Sequence, residues 1–200
     1  DWTIYYPSGN VNAKYQYDVK GEFNQGRQEW YDNGNKKIEM HYANGIPDGP
    51  RVEWSENGQK KLDCSYANGK KDGDWIAWYD NGQKKRQYFH KEGKRDQTWT
   101  AWWPNGNTKI EGNYKKDKKD GQFTTWDKNG DKKWKGTYKN GKLVNESSFI
   151  YSYYDNGNKE AVGSYKDKLM DGMWAYYYPD GVTTKAEGRS EEHTSELQSR

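Results

Sequence analysis

A tight-turn glycine, usually preceded by Asn or Asp, returns along this chain at a nearly fixed interval. Gly9, Gly34, Gly58, Gly82, Gly106, Gly130, Gly157 and Gly181 follow one another at spacings of 25, 24, 24, 24, 24, 27 and 24 residues. So regular a period makes each unit one supersecondary element that buries its apolar surface only on its neighbours, and the chain reads first as a repeat array. The one interval of 27 places a three-residue insertion in the connection around Asn145 to Ser148.

Within a unit, a second turn follows eleven residues after the first, at Gly45, Gly69, Gly93 and Gly141, with Asp117 and Lys168 in its place in two units. A third stands four residues further on, at Gly49, Gly73, Gly121 and Gly172, with Gln97 and Asn145 as exceptions. The intervening segments are short and rich in Trp, Tyr and Thr, which is strand chemistry, and no helix is expected. The fold class is therefore all-β: an elongated single-layer antiparallel sheet of tandem 24-residue β-hairpin repeats, solenoid-like. About fifteen short strands are expected, each repeat advancing the sheet by roughly 9–10 Å.

Asn-Gly suits a two-residue type I′ turn, whose central residues both need positive φ. If Asn33-Gly34 is the turn centre, Tyr31 faces Lys36, Trp30 faces Lys37 and Glu29 faces Ile38. One face then carries Trp75, Ala77, Tyr79, Arg86 and Tyr88, repeated as Trp99, Ala101, Trp103, Ile110 and Tyr114. The other carries an unbroken aromatic ladder four residues before each turn glycine: Tyr5, Trp30, Trp54, Trp78, Trp102, Trp126, Tyr153 and Tyr177. Three residues after the glycine stand Lys37, Lys61, Lys85, Lys109 and Lys133, then Glu160. In this register each Trp pairs with a lysine across the strands, a contact of about 0.5–1 kcal/mol when exposed. Trp30, Trp54, Trp78, Trp102, Trp126, Tyr153 and Tyr177, with the five lysines, form the candidate binding face. The alternative role for the rings is to hold neighbouring repeats together.

Composition agrees with such a lattice. Ile, Leu, Val and Phe make up only a tenth of the chain, whereas 11 Trp and 18 Tyr must supply the core. A net charge of +3 from 33 basic and 30 acidic residues is too small and too mixed to favour nucleic acid. No apolar run is long enough for a transmembrane helix. Cys64 is the sole cysteine and His41, His90 and His193 are scattered, so neither a disulfide framework nor a metal or nucleophile constellation is expected. Asp48, Asp72, Asp120 and Asp171 precede turn glycines, one carboxylate per unit, and read as turn formers rather than calcium ligands. The expectation is no enzyme, no cofactor and no metal.

The combined order W-Y-x-N-G, K-K, Y-x-N-G-K and D-G-x-W, plain from Ser65 to Lys85, resembles MORN repeats of the bacterial variant type. The resemblance covers about Trp2 to Val182 and departs locally at Gln97, Asp117 and Asn145. It implies a non-catalytic scaffold, since chains of this kind are commonly labelled antitoxin-like components of toxin-antitoxin systems and other members are described as assembly scaffolds or phospholipid binders. The segment GMWAYYYPDG is also similar to choline-binding cell-wall repeats, whose period is shorter.

After Gly188 the pattern stops, and RSEEHTSELQSR is similar to translated sequencing adapter. The expected organisation is residues 1–188 as a repeat array of about seven and a half units, truncated at both ends, and residues 189–200 as an adapter-derived, disordered tail. Two functions follow. The first is a protein-interaction scaffold, the antitoxin-like partner of a toxin. The alternative is an envelope-associated module that binds phospholipid headgroups or glycans through its Trp/Lys face. The chain starts at Asp1 without an initiator Met and carries no signal that decides between cytoplasm and envelope.

Overall fold

The structure is a computed structural model and describes residues 1–166, 169, 170 and 172–189. All of the described strands belong to one open antiparallel sheet of 19 strands, β1 (Trp2–Tyr5) to β19 (Thr184–Arg189), paired in the order of the sequence except where three two-residue strands share a partner with the strand that follows them. No helix occurs among the described residues. The count exceeds fifteen partly because the Asp-Gly turn cuts a two-residue piece from the start of three strands. These pieces are β7 (Lys70–Lys71), β12 (Lys118–Lys119) and β17 (Leu169–Met170). At that jog Tyr66 pairs with Lys71 while Asp63 pairs with Ile76, so the later strand carries two extra residues. Lys168, Asp171 and the tail from Ser190 onwards, with His193, lie outside the described residues; Arg189 pairs with Met173 at the end of β19.

The two Asn-Gly turns of each unit differ, and their types are the reverse of the simplest reading. At the first turn, Gly34 N–H donates to Tyr31 O at 2.9 Å and Tyr31 N–H donates to Asn35 O at 2.8 Å, closing a three-residue loop. Only Gly34 has positive φ, +86°, which is a type I turn followed by a G1 bulge rather than type I′. Asn33 favours it locally, because its Oδ1 accepts the Asn35 N–H at 3.0 Å. Type I′ geometry sits at the second turn, where Asn44 and Gly45 have φ of 50° and 74°, as do Asn68-Gly69, Glu92-Gly93 and Asn140-Gly141 in kind.

The longer loop moves the pairing by one residue, and a bulge beside the ladder aromatic moves it back. Trp30 lies opposite Lys36, not Lys37, while Glu29 lies opposite Ile38 as expected. Trp54 with Lys60, Trp78 with Lys84, Trp102 with Thr108 and Trp126 with Lys132 repeat this arrangement. Lys37, Lys61, Lys85, Lys109 and Lys133 are therefore the extra residues of a bulge, and the expected Trp30–Lys37 pairing is replaced. The 27-residue interval is also absorbed differently. It extends β15 (Lys142–Tyr153) to 12 residues, within a strand and not in a connection.

Among the described residues the nine buried apolar ones, Ala13, Met40, Cys64, Trp75, Ala77, Tyr114, Phe123, Ala161 and Trp174, fall on one face by the pairing register. A single layer covers this core by packing its rings edge to face along the sheet. Phe123 is 0% exposed, with Tyr114 edge-on at 5.6 Å, Tyr138 edge-on at 5.2 Å and Trp99 at 6.3 Å. Aromatic side chains bury about 150–250 Å² each, so a few of them replace the aliphatic core this chain lacks.

Both ends of the hairpins are tied to the next repeat. At the first turns, Asn33 Nδ2 donates to Glu56 O at 2.9 Å, Asn81 to Pro104 O at 2.7 Å and Asn105 to Lys128 O at 2.7 Å. The following aromatic does the same: Tyr31 Oη donates to Trp54 O, Tyr79 Oη to Trp102 O and Trp103 Nε1 to Trp126 O. At the opposite edge Gly69 N–H donates to Pro47 O and Gly93 N–H to Lys71 O, both at 2.8 Å. Asp72 accepts from Glu92 N–H at 3.1 Å, and Asp48 and Asp120 accept from Asn68 and Asn140 at 3.4 Å. The turn aspartates thus also bridge repeats.

Candidate functional site

The ladder rings are half-buried from Trp30 to Trp126 and at Tyr177, whereas Tyr153 is exposed. Above four of the ladder rings the ammonium comes from the preceding repeat. Lys14 lies 5.9 Å from the Trp30 centroid, Lys36 5.8 Å from Trp54, Lys60 5.9 Å from Trp78 and Lys84 5.8 Å from Trp102. None of the four was among the candidate residues; Lys36, Lys60 and Lys84 are the first lysines of K-K pairs, and the signal that finds them is the doubling of the lysine itself, whereas Lys14 stands alone. The bulged lysines cover the ring after the ladder instead: Lys37 over Tyr31 at 5.8 Å, Lys85 over Tyr79 at 5.3 Å and Lys109 over Trp103 at 4.3 Å. Lys61 and Lys133 are exposed. Each such contact is worth about 0.5–1 kcal/mol at the surface, so the rings and lysines knit repeats together.

A second row of cations caps the core face near the opposite edge. Lys71 lies 4.1 Å from the Trp75 centroid, Arg95 4.3 Å from Tyr114, and Lys119 5.0 Å from Phe123 and 4.6 Å from Tyr138. Long cationic side chains lay their stems on apolar rings while their charged ends reach water, which lets one layer of rings serve as a core.

Between these rows, on the core face of the fourth to sixth repeats, a shallow groove of about 700 Å³ opens. Its apolar lining comes from Trp99, Ala101, Trp103 and Ile110, and Lys85, Arg86, Lys109 and Lys133 border it. Trp102 and Trp126 also reach it, so five of the twelve candidate residues converge there. Trp30, Trp54, Trp78, Lys37 and Lys61 do not line this groove, nor do Tyr153 and Tyr177.

Tyr153 belongs to a polar cluster instead. Its hydroxyl donates to Asp131 Oδ2 at 2.7 Å, and Lys159 forms an ion pair with the same buried carboxylate. Burial works to raise Asp131, but Lys159 and Tyr153 outweigh it and hold the carboxyl below the ordinary range. Burial together with the Asp131 carboxylate pushes the Tyr153 hydroxyl up.

Cys64 and His90 lie in the core. Burial raises the Cys64 thiol to about 11, which keeps it protonated and a poor nucleophile. Burial lowers His90, which packs edge-on against Trp75 at 5.5 Å and Tyr88 at 5.1 Å, and nearby Lys71 lowers it further. Among the described residues no three His, Cys, Asp or Glu side chains cluster as a metal site would require.

Four stretches of the chain, residues 1–18, 27–44, 71–94 and 98–116, match the family model of the MORN repeat variant. No curated protein matches the chain. The matched stretches begin and end around the hairpins described above, two of them in the repeats that border the groove.

Proposed function

We propose that this chain, four stretches of which within residues 1–116 match the MORN repeat variant, is a non-catalytic scaffold for protein–protein contact, in the specific form of the antitoxin-like partner of a toxin. MORN repeats are interaction modules and not an enzyme family. One observation carries the reading: the recurring polar residues are engaged between repeats. Asn33, Asn81 and Asn105 reach the next turn, Tyr31 and Tyr79 reach the next ladder backbone, and Asp48, Asp72 and Asp120 receive the next hairpin. What the array offers outward is a broad surface of rings and lysines, and a stable partner needs about 800 Å² of it.

The experiment is co-purification with the small protein encoded beside its gene, read by mass and by rescue of growth on co-expression. A stoichiometric complex with rescue supports the antitoxin-like role. A complex without rescue leaves a scaffold of another kind, and failure to hold any protein overturns the reading. The second reading, an envelope-associated module for phospholipid headgroups or glycans, draws on the ammonium groups poised over half-buried rings, such as Lys109 over Trp103. Flotation with phosphatidylserine vesicles and retention on cell-wall glycan test it.

A further inference from the structure

One row of residues crosses the core face from strand to strand: Ala13, Glu29, Ile38, Glu53, Leu62, Ala77, Arg86, Ala101, Ile110 and Thr125. Its two halves are built differently. In the second and third repeats the row carries Glu29 and Glu53, and each forms an ion pair with an arginine two residues earlier, Arg27 and Arg51. Glu29 also takes Lys37, the bulged lysine, at 3.8 Å. Those repeats supply their own anions.

In the fourth to sixth repeats the same positions hold Ala77, Ala101 and Thr125, and the arginines are replaced by Trp75, Trp99 and Phe123. The substitution removes both bulk and negative charge. It opens the groove, makes its lining apolar, and takes from the bordering cations the row carboxylates that the earlier repeats supply. Lys85, Arg86, Lys109 and Lys133 make no ion pair among the described residues, and Asp127 is the one acid on the groove wall. The row from Ala77 to Thr125 crosses four strand spacings of about 4.8 Å, roughly 19 Å, which six extended residues would span.

We infer that this groove docks an acidic segment of a partner protein, an extended peptide whose apolar side chains settle on Trp99, Trp103 and Ile110 while its carboxylates take the places that Glu29 and Glu53 fill in the earlier repeats. The inference rests on the scaffold reading above and adds to it the chemistry of the partner and the repeats that receive it. Charge complementarity selects the occupant, since Lys85, Arg86, Lys109 and Lys133 face a single wall carboxylate, Asp127, and this surplus of positive charge favours an acidic segment over a basic or uncharged one.

The test uses the intact chain. Random twelve-residue peptides displayed on phage are selected on it, and a synthetic peptide of alternating glutamate and leucine is titrated while tryptophan fluorescence is followed. Acidic, apolar sequences are expected to be enriched. Ala101→Glu, which restores the carboxylate of the earlier repeats, is expected to weaken the synthetic peptide by about tenfold or more, and Lys133→Ala by about threefold or more. Lys20→Ala, at an exposed turn position of the first repeat outside the groove, should change nothing. Melting temperatures of the variants keep loss of fold separate from loss of binding, and Lys133→Ala, at an exposed position, preserves the test if Ala101→Glu unfolds.

Enrichment of basic or uncharged peptides, or binding insensitive to both groove variants, overturns the groove assignment and leaves the scaffold reading standing. Retention of phosphatidylserine vesicles in place of any peptide overturns it in favour of a lipid. Retention of no peptide overturns it as well, and the scaffold reading falls with it only if co-purification also yields no protein.

Discussion

The ring of Phe123 occupies the space that a side chain at Gly112 would need: a Cβ built on Gly112 would stand 2.2 Å from Phe123 Cδ1. Gly163 stands in the same relation to Trp174, at 2.1 Å. These glycines are required for room rather than for backbone freedom, since their φ values are not positive. Gly112→Ala is expected to destabilise the chain by about 1–3 kcal/mol through overpacking. Phe123→Leu combined with Gly112→Ala should recover part of that loss, measured by urea unfolding. An additive double variant would show that the ring and the glycine do not compete for one space.

Gly82 closes a first turn with φ of +81°, whereas Cys64 is a small buried side chain. Gly82→Val forces a β-branched residue into left-handed geometry, at a cost of about 1–3 kcal/mol. Cys64→Ala removes one sulfur and costs less. Thermal melts of the two variants provide the comparison, and equal midpoints would count against the strained turn.

Asn105 joins two repeats by donating to Lys128 O at 2.7 Å while accepting the Asn107 N–H at 3.1 Å within its own loop. Asn105→Ala is expected to cost about 0.5–1.5 kcal/mol, the net worth of a typical hydrogen bond. Hydrogen exchange should locate the loss in both the hairpin of Asn105 and the one after it. Faster exchange confined to the first hairpin would mean the bridge carries no coupling.

Asp131 is held below the ordinary carboxylate range in the folded chain, so its pairing with Lys159 and Tyr153 contributes stability above the unfolded value of about 3.9. That contribution disappears as the pH falls through the lower, folded value. The gap in urea midpoint between the wild type and Asp131→Asn should therefore be widest near neutrality and narrow below about pH 4. A gap that stays constant to pH 2 would refute the assignment.

The strand order and the division into two faces were legible because period and alternation survive any single turn. The turn types were not, since Asn33-Gly34 and Asn44-Gly45 present the same dipeptide to two different loops. What separates them is the tertiary link from Asn33 to Glu56 and one bulged residue, Lys37, whose presence the doubled lysine records without declaring its meaning. The Glu29–Ile38 register was nevertheless right, because loop and bulge shift the pairing in opposite senses. The groove was half visible. Lys85, Lys109, Lys133, Trp102 and Trp126 were marked by their recurrence, but the decisive residues, Ala77 and Ala101, are small, and their importance appears only beside Glu29 and Glu53 in the same row.

Each hairpin pairs only with the hairpins beside it in sequence, so a pull along the axis of the array loads the sheet in the direction of its hydrogen bonds. That geometry peels one ladder at a time and does not shear many at once. Under tension such a chain would yield in steps, each freeing 24 residues or roughly 80 Å of contour, and would shorten again as hairpins re-form against the intact remainder. The same neighbour-only pairing that lets the array assemble also lets it yield and recover one repeat at a time.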